Sequence, residues 1–197
     1  MPLPKKGNLK HCQNYRTVSK VSHPRKNMLR GSLIQLKTKA EELLADAQAS
    51  FKPDRGTLEQ IFNSRVIIEK RLQHQRDLFH NVIDFRKAFD RVWNADLWQV
   101  LRNFNIEDGL VQAITALYEN SSSAVLSNRQ LWEFFKKTVG VPQGCLLSPI
   151  LFNSFLEKTM QETLHNHRTS IAIGGRPICN LRFADDIDLM GASNGEL

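Results

Sequence analysis

Two adjacent carboxylates, Asp185 and Asp186, interrupt the strand-like runs LRF and IDLM. If Leu181 to Phe183 and Ile187 to Leu189 pair as a hairpin, both side chains project from its tip. Like charges that close raise one another's pKa, so such a pair calls for solvent or a cation. An Asp-rich turn needs no further role on its own account, because aspartate favours turns anyway. A third carboxylate changes that balance. Asp84 stands next to last in the apolar, β-branched run LFHNVIDF, which reads as a short buried strand. Beside the hairpin in one sheet, Asp84 would complete a set of oxygen donors, the hard ligands that Mg²⁺ prefers. Two such ions about 3.5–4 Å apart activate an attacking hydroxyl and stabilise the leaving oxygen of an in-line phosphoryl displacement.

The elements that must position these residues alternate between helices and short strands. Leu29, Leu33, Leu36, Ala40, Leu43 and Leu44 follow helical spacing within Met28 to Leu44. A second helix is expected from Thr57, capped by that residue with Gln60 on its third position, and carrying Leu58, Ile61, Phe62, Ile68 and Leu72 as its apolar side. Helices are expected again from Asp96 to Phe104 and from Leu110 to Tyr118, then a hairpin of strands around Val125 and Phe134. Ser148 and Pro149 suit a helix start, and Ile150 to Leu164 continues it. From Ser170 to Gly191 the pattern is strand-like, with turns at Gly174-Gly175 and Asp185-Asp186.

With 197 residues, the chain suits one domain with a substantial core. No apolar run approaches the roughly 20 residues of a membrane span, and no secretory leader precedes the first elements. The expected location is therefore intracellular, cytoplasmic and/or nuclear, with no membrane partner. Cys12, Cys145 and Cys179 lie far apart and read as free thiols. The net charge of +7 is concentrated at the N-terminus, where residues 1–30 hold eight Lys or Arg and no acid. That run, Lys5, Lys6, Lys10, Arg16, Lys20, Arg25, Lys26 and Arg30, suits phosphate contact, and equally a solvated basic tail.

IDFRKAFDRVW, GVPQGCLLSPILFN and LRFADDIDLM, in this order and spacing, resemble the three central palm motifs of reverse transcriptases. NYRTVSKVSHPRKNMLR and QASFKPDRGTLEQIF upstream make the likeness closest to non-LTR, LINE-type retrotransposons, and it covers nearly the whole chain. The resemblance implies an α/β (α+β) fold: a right-hand polymerase palm with an antiparallel sheet backed by helices, plus partial helical fingers. It implies fingers within 1–77 and mainly palm within 78–197, with the later palm motifs and the thumb outside the chain.

The implied activity is RNA-directed DNA polymerisation, the addition of deoxynucleotides to a primer 3′-end on an RNA template with two Mg²⁺ ions, or Mn²⁺ in their place. Asp84, Asp185 and Asp186 match the metal-binding aspartates, with the Phe85 backbone carbonyl as a further oxygen ligand. Phe89 resembles the aromatic steric gate beneath the incoming sugar, although a core role in the strand-to-helix turn fits it equally. Gln143 and Gly144 match the motif that meets the incoming nucleotide and the template; Gly140 and Pro142 read as turn residues. Lys52 and Arg55 lie where relatives set cations against the triphosphate, or serve as surface charges. Ser50, Phe51 and Lys52 stand where Gly-Phe-Arg is usual, and lysine lacks the planar fork that suits phosphate. Gly31 weakens its helix. The alternative reading, favoured by the basic N-terminus and the altered fingers, is a nucleic-acid-binding remnant without catalysis.

Overall fold

The computed structural model describes residues 2–4, 15–17, 23–52, 54–124, 126–127, 130–165, 171–173 and 175–196. Cys12, Lys5, Lys6, Lys10, Lys20, Val125 and Gly174 lie outside the described residues, as do the side chains of Arg16, Arg25 and Lys26. The chain divides into two compact units, residues 1–42 with 87–155 and residues 43–86 with 156–197.

The first unit opens on an antiparallel pair, β1 (Pro2–Pro4) and β2 (Tyr15–Thr17), followed by α1 (His23–Leu43), whose last residue enters the second unit. Among the described side chains of α1, Leu29, Leu36 and Ala40 are buried, at the helical spacing the sequence shows. In the second unit come α2 (Thr57–Gln73) and β3 (Phe79–Asp84). The first unit resumes with α3 (Asn94–Asn103) and α4 (Asp108–Glu119), which bury Leu97, Leu101, Val111 and Ile114 at helical spacing. Trp98 and Tyr118 join them edge to face, ring centroids 5.0 Å apart.

Short strands follow: β4 (Ser122–Ser123) pairs with β7 (Phe135–Lys136), and within that loop β5 (Leu126–Ser127) pairs with β6 (Gln130–Leu131). Helix α5 (Ser148–Thr163) crosses from the first unit into the second. Its first hydroxyl, Ser148 Oγ, donates to the Pro142 carbonyl at 2.7 Å, so Ser148 ties the helix to the preceding loop. The second unit closes with the pair β8 (Ala172–Ile173) and β9 (Arg176–Pro177), then β10 (Asn180–Phe183) and β11 (Asp186–Gly191).

β10, β11 and β3 form an antiparallel sheet in that order. Ile67 of α2 packs with Ile171 and Met190, and Leu78, Ile178, Leu181 and Ala192 surround them. One expectation fails on burial. β3 is mostly exposed, Val82 by 74%, and among the described residues it pairs only with β11. On α2 the face that turns inward is Ile67, while Leu58, Ile61, Phe62, Ile68 and Leu72 are exposed. The α2 cap also differs: Gly56 holds the N-cap position, and its N–H is bound by Glu59 Oε2 at 3.3 Å, with Thr57 the first helical residue.

Candidate active site

The carboxylate pair arises from a tight hairpin. β10 and β11 pair with Phe183 opposite Asp186, which leaves Ala184 and Asp185 as the turn. Ala184 has φ +56°, at the first turn position, where hairpins of the II′ type call for glycine. The register of the next ladder sets Asp186 directly opposite Asp84. With a strand period of two, Asp84, Asp186 and Phe183 share one sheet face, and Asp185 adjoins them at the tip. The sequence expectation that the three aspartates meet at one end of a sheet therefore holds for the backbone.

Their charges interact. Partial desolvation pushes the Asp186 carboxyl above the usual carboxylate range, and the negative charges of Asp185 and then Asp84 push it the same way. Neighbouring acidic oxygens that raise one another's proton affinity are a donor set that a hard divalent cation relieves. Among the described residues no three His, Cys, Asp or Glu side chains are gathered closely enough to hold a metal ion. The fit to a divalent ion thus rests on strand register and mutual charge.

The strands that carry the turn are anchored from behind. Arg182 alternates to the face opposite Asp186 and is buried, where its Nη2 meets Glu157 Oε2 of α5 at 3.2 Å. The same Glu157 oxygen accepts the Ala45 N–H at 3.2 Å. Residues 47–49 then run alongside β10: Arg182 N–H donates to the Ala47 carbonyl at 2.9 Å, and Ala49 N–H donates to the Arg182 carbonyl at 3.0 Å. Buried Gln48 bonds Ala184 itself. Neither Gln48 nor the Glu157–Arg182 pair was singled out as functional in the sequence; Gln48 entered only as the start of a fingers-like pattern.

Lys52 and Arg55 are engaged nearby. Lys52 Nζ donates to the carbonyls of Leu44 and Ala45, at 3.0 and 2.9 Å, and burial, then Arg55, lowers its pKa. Arg55 bonds the Asp46 carbonyl and carboxylate. Beyond Asp84, Phe85 is exposed. The other nominated residues belong to the first unit. Phe89 stacks on Phe152 with ring centroids 4.2 Å apart. In GVPQG, Cys145 N–H donates to the Pro142 carbonyl at 3.1 Å, and Gly144 has φ +87°, the positive φ that a type II turn places at its third residue.

Residues 3–197 match the reverse transcriptase (RNA-dependent DNA polymerase) family. The chain belongs to that family. Among its relatives are Pol proteins of non-LTR retrotransposons. The Pol polyprotein from the type-1 retrotransposable element R2 of Popillia japonica is 28% identical over 191 residues, which are 95% of this chain and 26% of the relative. That from the type-2 element R2DM of Drosophila melanogaster is 27% identical over 143 residues, 72% of this chain and 13% of the relative. This reverse transcriptase chain thus spans about a quarter or less of these relatives. Apo telomerase from Candida tropicalis, truncated from its C-terminal domain, shares the fold with a TM-score of 0.69 at 14% identity, over 93% of this chain and 42% of that one. The polymerase palm-type fold expected from the motifs is thereby borne out. Reverse transcriptases as a family use divalent metal ions. Among the described residues no helix is long and apolar enough to cross a membrane.

Proposed function

We propose that this chain is an RNA-directed DNA polymerase domain that transfers deoxynucleotides to a primer 3′-end on an RNA template. The observation that carries this reading is the ladder that sets Asp186 opposite Asp84, with Asp185 in the adjoining turn. Asp84, Asp185 and Asp186 would hold two divalent ions, Mg²⁺ or Mn²⁺, with the Phe85 carbonyl as a further oxygen. Such ions supply activation of the 3′-hydroxyl and stabilisation of the leaving oxygen. The protein's own share would be positional: a hairpin tip and a strand end, paired by backbone hydrogen bonds, bring the three residues to one end of the sheet.

In this reading Phe89 lies under the sugar of the incoming deoxynucleoside triphosphate and disfavours a 2′-hydroxyl. Its stacking on Phe152 supplies the rigidity such a gate needs. Gln143 and Gly144 meet nucleotide and template, the glycine permitting close backbone approach. Residues 1–77 act as partial fingers and 78–197 mainly as palm. The partners are an RNA template, a DNA primer and nucleotides, met in the cytoplasm or the nucleus.

Primer extension on an RNA template with Mg²⁺ and labelled deoxynucleotides tests the reading, beside an Asp185→Ala, Asp186→Ala control. Incorporation that the control abolishes supports it; folded protein without incorporation sinks it for this chain. One observation favours the second reading, binding of nucleic acid without catalysis. Lys52 and Arg55, the cations nominated for the triphosphate, both bond the chain's own carbonyls. That reading expects salt-sensitive RNA or DNA binding that survives loss of all three aspartates.

A further inference from the structure

Gln48 is 1% exposed and bonds both backbone polar groups of one turn residue. Its Nε2 donates to the Ala184 carbonyl at 3.2 Å, and its Oε1 accepts the Ala184 N–H at 3.0 Å. A carboxamide offers a donor and an acceptor side by side without any change of protonation, and this pairing leaves a single amide orientation that satisfies both. The orientation is fixed a second time, because Oε1 also accepts the Ser50 N–H at 3.1 Å and the Ser50 hydroxyl at 2.9 Å. The backbone of Gln48 is held in turn by its bridge to Arg182 on β10.

Ala184 is the residue that needs such support. It carries a Cβ at φ +56°, in a region that L-residues other than glycine rarely occupy. Its N–H and C=O belong to the turn, so the β10–β11 ladder leaves them to other partners. Gln48 meets both at once.

We propose that Gln48 is a positioning residue for the carboxylate turn. Its carboxamide clamps Ala184 in the left-handed region and so fixes the path by which Asp185 and Asp186 are presented. The role rests on the reading of those aspartates as the metal-holding groups. Ala184→Gly should make the clamp less necessary, since glycine adopts positive φ without strain.

The test uses the full chain, with Mn²⁺ as the probe in electron paramagnetic resonance titrations, and unfolding temperature and amide exchange as companions. Gln48→Met keeps the side chain's length and removes both bonds to Ala184, together with the two that Oε1 accepts from Ser50. It should weaken Asp185-dependent Mn²⁺ binding about tenfold, as expected for two lost backbone bonds, and speed exchange of the Ala184 amide. In an Ala184→Gly background the same substitution should cost less than about threefold, a non-additivity that a merely structural role would not produce. Equal Mn²⁺ affinity of wild type and Gln48→Met overturns the role while leaving the metal reading intact. Wild type without Asp185-dependent Mn²⁺ binding overturns the metal reading, and the role with it. Should Gln48→Met fail to fold, an Ala184 amide that exchanges in wild type as fast as an open turn also overturns the clamp.

Discussion

Glu157 on α5 and Arg182 on β10 form an ion pair whose side chains are 5% and 3% exposed. Arg182 Nε and Nη1 make no further hydrogen bond among the described residues. Desolvation of the guanidinium is therefore offset mainly by Glu157, which also accepts the Ala45 N–H. Glu157→Gln should destabilise the chain by about 3–5 kcal/mol, since it leaves a buried charge without its counter-charge. The double variant Glu157→Leu, Arg182→Met should recover most of that loss. Urea unfolding of the three proteins checks both; a single variant as stable as wild type would refute the account.

Asp186 makes a prediction with a sign. Its folded-state pKa is raised, by desolvation and then by Asp185 and Asp84, so the folded chain binds a proton at pH values where the unfolded chain has released it. Stability then falls as pH rises from the ordinary carboxylate range through the raised pKa, and the deficit is complete above it. Asp186→Asn should raise the melting temperature at neutral pH without added metal and leave it little changed at pH values below both pKa values. Millimolar Mg²⁺ should stabilise wild type more than the variant. A melting temperature lowered by Asp186→Asn at neutral pH would contradict this.

Short-range pattern carried most of the fold. The acidic turn, the strand ending at Asp84 and the helix from Thr57 were legible because turn chemistry and periodicity act over a few residues. Burial was not. Leu58, Ile61, Phe62, Ile68 and Leu72 recur with helical spacing, yet Ile67 is the position that packs on Ile171 and Met190. A spacing identifies a face without naming what covers it. Gln48 was illegible as a positioning residue for a related reason: its partner Ala184 lies 136 residues away, and no local pattern encodes that contact. The metal set divides in the same way, since the register of Asp84 and Asp186 follows from strand pairing while ligand geometry depends on side-chain rotamers.

Two glycines respond oppositely to alanine. Gly31 lies inside α1 with nothing within 4 Å of an added Cβ, so Gly31→Ala should stabilise by about 0.5–1 kcal/mol through helix propensity. Gly140 has φ +91°, and an added Cβ would come within 3.1 Å of the Asp90 Cα and carbonyl oxygen. Its N–H donates to the Val92 carbonyl at 2.7 Å, which leaves little room for adjustment. Gly140→Ala should cost about 1–3 kcal/mol in strain alone. Denaturant midpoints of the two variants should fall on opposite sides of wild type.

The exposed side of α2 sets the last expectation. Leu58 is 80% exposed, Phe62 65% and Ile61 64%. Ile61 and Ile68 also line a groove of about 470 Å³ with Val82, Leu181 and Phe183. Apolar surface gathered in this way favours self-association and binding of hydrophobic dyes. Charged replacements at exposed positions remove little packing, because Ile67 and not its neighbours contributes to the buried cluster. Ile61→Lys with Phe62→Glu should therefore reduce light scattering and dye fluorescence while shifting the melting temperature by no more than a few degrees. Ile67→Ala, about a turn and a half further along the same helix, should do the reverse: it should cost about 2–5 kcal/mol by opening a cavity and increase dye binding. If the surface pair unfolded the chain and Ile67→Ala did not, the assignment of the inward face of α2 would be wrong.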